Sequence, residues 1–163
     1  MNWGGAMRRT SLEQDQCPIA RSLDAIGDWW SLLIIRDAFD GLCRFGEFEK
    51  NLGVAKNILT VRLRKLVDDG ILKAVPASDG SRHQEYLLTD KGRSLFHVIV
   101  GLRQWGEDYF YEKGETHSVL IDREKKRIVR RLELRSKDGR LLGPADTQRV
   151  FRKRPSDPSA RNL

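Results

Sequence analysis

The sequence predicts a mainly α chain with a small β component, on three observations. Between residues 17 and 69, apolar residues recur at three- and four-residue spacing in four short blocks punctuated by turn residues. After Gly70 the pattern changes to two β-prone runs, ILKAV and EYLL, separated by the turn-rich PASDGS. From Asp90 the helical spacing returns and holds to about residue 111.

The composition bounds the problem. A chain of 163 residues suits one well-packed domain, and 39% hydrophobic with 33% charged residues describes a soluble globular protein with a highly charged surface. No apolar run approaches the ~18 residues of a membrane span and no secretory signal opens the chain, so a cytoplasmic location and no membrane partner are expected. The net charge of +7 is unevenly spread: residues 1–114 hold 16 Lys+Arg against 16 Asp+Glu, whereas 115–163 hold 14 against 7. A nucleic-acid role must therefore be argued from local faces rather than from the total. Cys17 and Cys43 form no C-x-x-C, and His83, His97 and His117 have no zinc spacing. No disulfide framework, metal or other cofactor is expected.

The elements follow in order. Residues 17–26, CPIARSLDAI, predict a short helix with Pro18 in its first turn, an apolar stripe of Ile19, Leu23 and Ile26, and a stop at Gly27. Asp28 is a candidate N-cap for WWSLLIIRDAF, a helix apolar nearly all round, with every apolar residue expected in the core. DGLCRF turns into a short helix over 45–51 with Phe45 and Phe48 inward, and Leu52, Gly53 and Val54 make a tight connection. The next helix, 55–69, places Ala55, Leu59, Leu63, Leu66 and Val67 on one arc and Asn57, Thr60, Val61, Arg64 and Lys65 on the other. Two short helices joined by a Gly-containing turn, the second with a polar face, form a helix-turn-helix pattern. The β-runs after it predict a hairpin with Arg82 and His83 at its tip or on its return strand, which makes the pattern a winged helix. Thr89 is expected to cap one long helix from Asp90 to about Tyr111, with Leu95, Val98, Ile99, Leu102, Trp105 and Phe110 along one line. That helix is too apolar for so small a core to cover, so a homodimer contact is expected on its surplus face. Residues 115–151 read as two or three strands, with a hairpin turn at Ser136-Lys137-Asp138-Gly139, and 152–163 as a disordered basic tail.

The charge of the 55–69 helix is graded against its dipole, bases first and Asp68 and Asp69 last. A helix so built suits an anionic partner. Asn57 matches an adenine edge, Arg64 a guanine edge or phosphate, Thr60 either role, and Val61 a thymine methyl. Lys56 and Lys65 suit phosphates, as does Arg44 ahead of Phe45, while Arg82 and His83 would reach the neighbouring backbone or minor groove. The surplus basic charge of the tail is read as solvated.

Taken together, these segments resemble the HxlR family of bacterial winged-helix regulators, relatives of the MarR type. The resemblance is carried by Cys17-Pro18-Ile19-Ala20-Arg21, Trp30-Ser31-Leu32-Leu33-Ile34-Ile35-Arg36-Asp37, Arg44-Phe45 with Glu47-Phe48, Asn57-Ile58-Leu59-Thr60 with Arg62-Leu63-Arg64-Lys65-Leu66, Glu85-Tyr86 with Leu88-Thr89-Asp90-Lys91-Gly92-Arg93, and Gln104-Trp105-Gly106. It implies a dimeric transcriptional regulator, in the repressor reading, on a pseudo-palindromic double-stranded operator near its own or a neighbouring gene. It also implies redox or electrophile sensing at Cys17, whose place at a helix N-terminus favours thiolate. The segment 115–151 is similar to a β-extension that some members carry, in certain cases with metal-binding cysteines; here it has none, so no zinc is expected. The expected organisation is a flexible leader at 1–16, an HxlR-type winged-helix DNA-binding and dimerisation domain at 17–114, a hairpin extension at 115–151 and the tail at 152–163.

Other readings stay open. A winged helix used only for protein contact predicts no salt-dependent DNA binding. A small-molecule effector is a further expected partner, with Trp29, Trp30, Phe96 and Trp105 as pocket candidates. An enzyme is not expected: Cys17 with one of the histidines is the only nucleophile–base pair on offer, and no motif joins them.

Overall fold

The computed structural model describes residues 11–150. Residues 1–10 of the expected leader and the expected disordered tail lie outside the described residues. The chain divides into two compact units at Phe110/Tyr111.

The first unit runs α1 (Pro18–Ile26), α2 (Trp29–Phe39), α3 (Phe45–Leu52), α4 (Lys56–Asp68), β1 (Leu72–Pro76), β2 (Gln84–Leu88), α5 (Asp90–Arg93) and α6 (Phe96–Tyr109). Local chemistry sets most of these boundaries. Cys17 is the N-cap of α1 and Pro18 occupies its first turn, where a missing N–H costs nothing. Asp28 caps α2 by accepting from the backbone N–H of Ser31 at 3.0 Å. Gly53 closes α3 in the left-handed region at φ 61°, which turns the chain directly into α4. The strands β1 and β2 pair antiparallel from Leu72↔Leu88 to Pro76↔Gln84.

Ile34, Ile35, Phe48, Leu59, Leu63, Leu66, Ile71 and Leu72 are buried and form one core. Side chains from α2, α3, α4 and the start of the hairpin therefore meet in the same volume, and α4 is held by its Leu59–Leu63–Leu66 stripe. Asp37, also buried, is satisfied by Arg36 at 2.7 Å and by the Asn51 amide at 2.8 Å, which ties α2 to α3.

Four expectations change in the first unit. First, Trp29 is 73% exposed rather than core: the first turn of α2 turns Ser31 inward and Asp28 to Arg62, which leaves Trp29 on the outer side; Trp30 beside it is half-buried. Second, the stripe on α1 is only partly used: Ile26 is buried, whereas Ile19 and Leu23 are exposed. Third, Ser11 and Leu12, placed in the leader, are tied to α1 by hydrogen bonds from the Ser11 hydroxyl and the Leu12 N–H to Asp24.

Fourth, the long helix after Thr89 is two helices. Thr89 does cap α5, accepting from the Gly92 N–H at 3.0 Å, but its hydroxyl also donates to the Gly70 carbonyl at 2.6 Å. That bond pulls α5 onto the end of the helix-turn-helix. Gly92 is pressed there so closely that a Cβ on it would lie 2.2 Å from the Ile71 carbonyl oxygen. The backbone then tightens: Leu95 N–H bonds back three residues to Gly92, and the Ser94 hydroxyl takes the Lys91 carbonyl. The helix restarts as α6. Of the line drawn along it, Leu95 and Ile99 pack inward, while Val98, Leu102, Trp105 and Phe110 are exposed.

The second unit carries narrow pairings instead of the two or three strands expected. Ile121 bridges Ile128 and Arg135 bridges Leu141, and a short 3₁₀ turn covers Pro144–Asp146. The Ser136–Gly139 turn forms, with Gly139 N–H on the Ser136 carbonyl at 3.0 Å. No residue between 111 and 150 is buried. A β-prone run without an apolar face to pack on gains little from extending its ladder, so pairing stops at single bridges.

Candidate nucleic-acid interface

Helix α4 is buried along one stripe and open along the other. Lys56, Asn57, Thr60, Val61 and Arg64 are all exposed, with Val61 56% accessible. Its N-cap, Ala55, has no side chain able to cap, and its first turn carries no acid. The first N–H groups of a 13-residue helix are thus left for an outside acceptor. The Thr60 hydroxyl donates back to the Lys56 carbonyl at 2.7 Å, which leaves its lone pairs outward.

The remaining bases of α4 divide by role. Lys65 is half-buried and paired with Asp69 one turn on at 2.8 Å, so it is less free than its place on the wheel suggests. Arg62 faces inward and lies 3.1 Å from Asp28. Asp28 thereby holds both the start of α2 and the middle of α4, a contact that wheel geometry alone did not reveal. Lys56 lies 3.9 Å from Glu49 and is largely exposed, so that pair is weak.

The wing is anchored more firmly than the sequence indicated. The α2–α3 link runs along the free edge of β2: Tyr86 N–H donates to the Cys43 carbonyl at 2.7 Å and Arg44 bridges Glu85. The Arg44 guanidinium reaches Asp79 at 2.8 Å and Glu85 at 3.1 Å. Glu85, buried in the hairpin, also accepts from the Ser78 hydroxyl at 2.9 Å. That hydroxyl and then Arg44 hold the Glu85 carboxyl below its ordinary range. Ser81 and Arg44 do the same for Asp79. Glu47 completes the group by accepting from the N–H groups of Cys43 and Arg44, each at 2.9 Å, which lower its pKa in that order. Arg44, expected as a phosphate contact, thus also positions the wing. Alternation along β2 puts Tyr86 and Leu88 on the core and Glu85 on the opposite face, so its burial under Arg44 and Ser78 carried no local sequence signal.

Arg82 and His83 are exposed, just before β2, and the His83 carbonyl closes the loop by accepting from Ala77 N–H at 3.0 Å. A cleft of about 540 Å³ opens between them and the first residues of α3. The wing loop and the exposed face of α4 thus both carry donors and cations free of the core. The four aromatics considered for a ligand pocket do not converge: Trp29 stacks edge-on with Trp30, Phe96 with Phe39, and Trp105 with Phe110. Cys17 is half-buried with its N–H on the Asp15 carboxylate at 2.7 Å, and Arg21 donates to the Asp15 carbonyl instead of facing the thiol. Among the described residues, no three of His, Cys, Asp and Glu gather as metal ligands, and no helix is long and apolar enough to cross a membrane.

Comparison with known proteins decides the family. The model of the HxlR-like helix-turn-helix family matches residues 25–114, more than half of the chain. The chain belongs to the HxlR-like helix-turn-helix family. An HTH-type transcriptional regulator of Mycobacterium tuberculosis, itself uncharacterised, is 46% identical over 91 residues; the match covers 56% of this chain and 58% of that relative's length. The crystal structure of PA1607, described as a candidate transcription factor, superposes with a TM-score of 0.83 at 57% identity, covering 86% of this chain and 99% of that one. The HxlR-like core also matches the redox regulator HypR in its oxidised form, with a TM-score of 0.52 at 33% identity, covering 56% and 96%. The fold shared with these proteins is the winged helix.

Proposed function

We propose that this HxlR-like protein is a sequence-specific DNA-binding transcriptional regulator, a repressor working as a homodimer on a pseudo-palindromic operator. The observation that carries the reading is the face of α4, where Asn57, Thr60, Val61 and Arg64 stand clear of the core beside an uncapped helix start. In the major groove, that face offers an amide for adenine, a guanidinium for guanine and a methyl surface for thymine. Lys56 and the open N–H groups meet phosphate, which sets register without reading sequence. Lys65 adds a phosphate contact when it leaves Asp69. Arg82 and His83 reach the flanking backbone or minor groove, with Arg44 holding the wing that carries them.

Two further parts of the reading have separate support. The dimer is supported by exposed Ile19, Leu23, Trp29, Val98, Leu102, Trp105 and Tyr109 on α1, α2 and α6, more apolar surface than a monomer leaves open without cause. Cys17 is the thiol proposed to tune binding on oxidation or electrophile attack, supported by its half-exposed place at the α1 N-cap and by the likeness to a redox regulator. Burial, then the Glu47 and Glu85 carboxylates, raise the pKa of Cys43 and disfavour its thiolate.

The test is fluorescence anisotropy with the upstream DNA of its own gene at several salt concentrations. Arg64→Ala should lose ~1–3 kcal/mol of binding and relax preference at one base position, on a steep salt dependence. Binding that is absent, or equal on scrambled DNA, would favour the protein-contact reading instead. The same titration with diamide, on wild type and Cys17→Ser, tests the thiol.

A further inference from the structure

The geometry points to a second binding site in this protein: a pocket for a small carboxylate with a compact apolar body, between α1 and the α5–α6 junction. The cavity measures about 300 Å³, at the lower end of the range that small ligands occupy. Its floor is apolar, made by Ala25, Ile26, Ile71 and Leu95. Its rim is polar and carries one sign of charge: Arg21 and Lys91, with the Ser22 and Ser94 hydroxyls, and no acidic residue among those lining it.

Both cations keep donors in reserve. Arg21 uses Nε for the Asp15 carbonyl, and a guanidinium has two further nitrogens. Lys91 uses one of its three N–H bonds for the Asp69 carbonyl, at 2.6 Å. The two hydroxyls spend their protons on the backbone, Ser22 on the Pro18 carbonyl at 2.9 Å and Ser94 on the Lys91 carbonyl at 2.7 Å, so the donors open to a ligand are those of the two cations. An apolar floor under two cations fits an organic acid better than a neutral or cationic molecule.

The position of Lys91 gives the site a consequence. Asp69 is the C-cap of α4, and Ile71, on the floor, opens the chain segment that Gly92 presses against. A carboxylate bound to Lys91 lies one hydrogen bond from the last turn of α4. Occupancy therefore bears on the joint between α4 and α5, at the opposite end of α4 from Lys56 and Asn57. The site needs no DNA to be detected, so its failure and the failure of the DNA-binding reading are separate results.

The probe is cyclohexanecarboxylate, titrated into the full chain and followed by amide NMR, with cyclohexanecarboxamide as the uncharged control. Saturable shifts are expected at Ser22, Ala25, Ser94 and Leu95, with accompanying shifts at Asp69 and Gly70. The amide, and the acid on Arg21→Gln, should bind at least tenfold more weakly, and Ala25→Phe should fill the cavity and abolish the shifts. Should Ala25→Phe fail to fold, Arg21→Gln still decides, because that side chain is exposed. Four results would overturn the site: no shifts at tens of millimolar acid, equal binding of acid and amide, shifts centred on Trp29 and Trp105, or binding indifferent to Arg21→Gln.

Discussion

Helices α4 and α6 are nearly the same length, 13 and 14 residues, and both bury one stripe against the same unit, yet they present opposite surfaces. The free face of α4 is Asn57, Thr60, Val61 and Arg64; that of α6 is Val98, Leu102, Trp105 and Tyr109. The first offers hydrogen-bond donors and charge, the second desolvation energy. A face of the first kind loses nothing by staying in water until a polyanion arrives, whereas a face of the second kind is costly while uncovered. Under the proposed reading the difference separates two partners on one small core: nucleic acid for α4 and a second copy of the chain for α6.

The largest expected effect comes from swapping which stripe is damaged. Leu63→Ala, on the buried side of α4, should lower unfolding free energy by ~2–5 kcal/mol in denaturant titration. Trp105→Ala, a larger truncation on the exposed side of α6, should change monomer stability by only about 0.5 kcal/mol. Equal losses would mean that α6 is part of the monomer core and would remove the contrast.

Next is the apolar face itself. Trp105→Glu should weaken self-association by ~2 kcal/mol or more, the size of an interface hot spot, as read by sedimentation equilibrium. A monomeric wild type would dispose of the dimer. Smaller still, Asn57→Ala should cost ~1–3 kcal/mol on the preferred operator and less on variants of one base pair, whereas Lys56→Ala should weaken all sequences alike and flatten the salt slope. Loss of discrimination in Lys56→Ala would reverse those two roles.

The smallest effect concerns the wing anchor. Glu85, Asp79 and Glu47 have pKa values lowered in the folded chain by hydrogen bonds and Arg44. A carboxylate with a depressed folded pKa contributes stability above its unfolded pKa, about 4, and loses it as pH falls through the folded value. Acidification below about pH 4 should therefore raise amide exchange at Tyr86 and Ala77 before that of Leu63. Glu85→Gln should blunt this acid response, and an unchanged response would assign it elsewhere.

Much of this architecture was legible without coordinates, for a common reason. The starts of α1 and α2, the Gly53 turn, the Leu59–Leu63–Leu66 stripe and the hairpin all follow from contacts within a few residues, which spacing and caps encode directly. The exposed face of α4 was equally readable, since it is the complement of that stripe. Family resemblance pointed to the same winged helix through its ordered matches.

What only the tertiary structure decided depends on residues distant in the chain. Arg44 meets Glu85 across 41 positions, which makes an expected phosphate contact an anchor of the wing as well. Arg62 finds Asp28, and Thr89 finds Gly70, which breaks the expected long helix at Ser94 and Leu95. Trp29 reads as core from its neighbours, but its burial depends on which side of the first turn of α2 the other helices cover. Local periodicity sets which face of an element is apolar; whether that face meets the core, a partner or water is settled by packing between elements, which no local pattern contains.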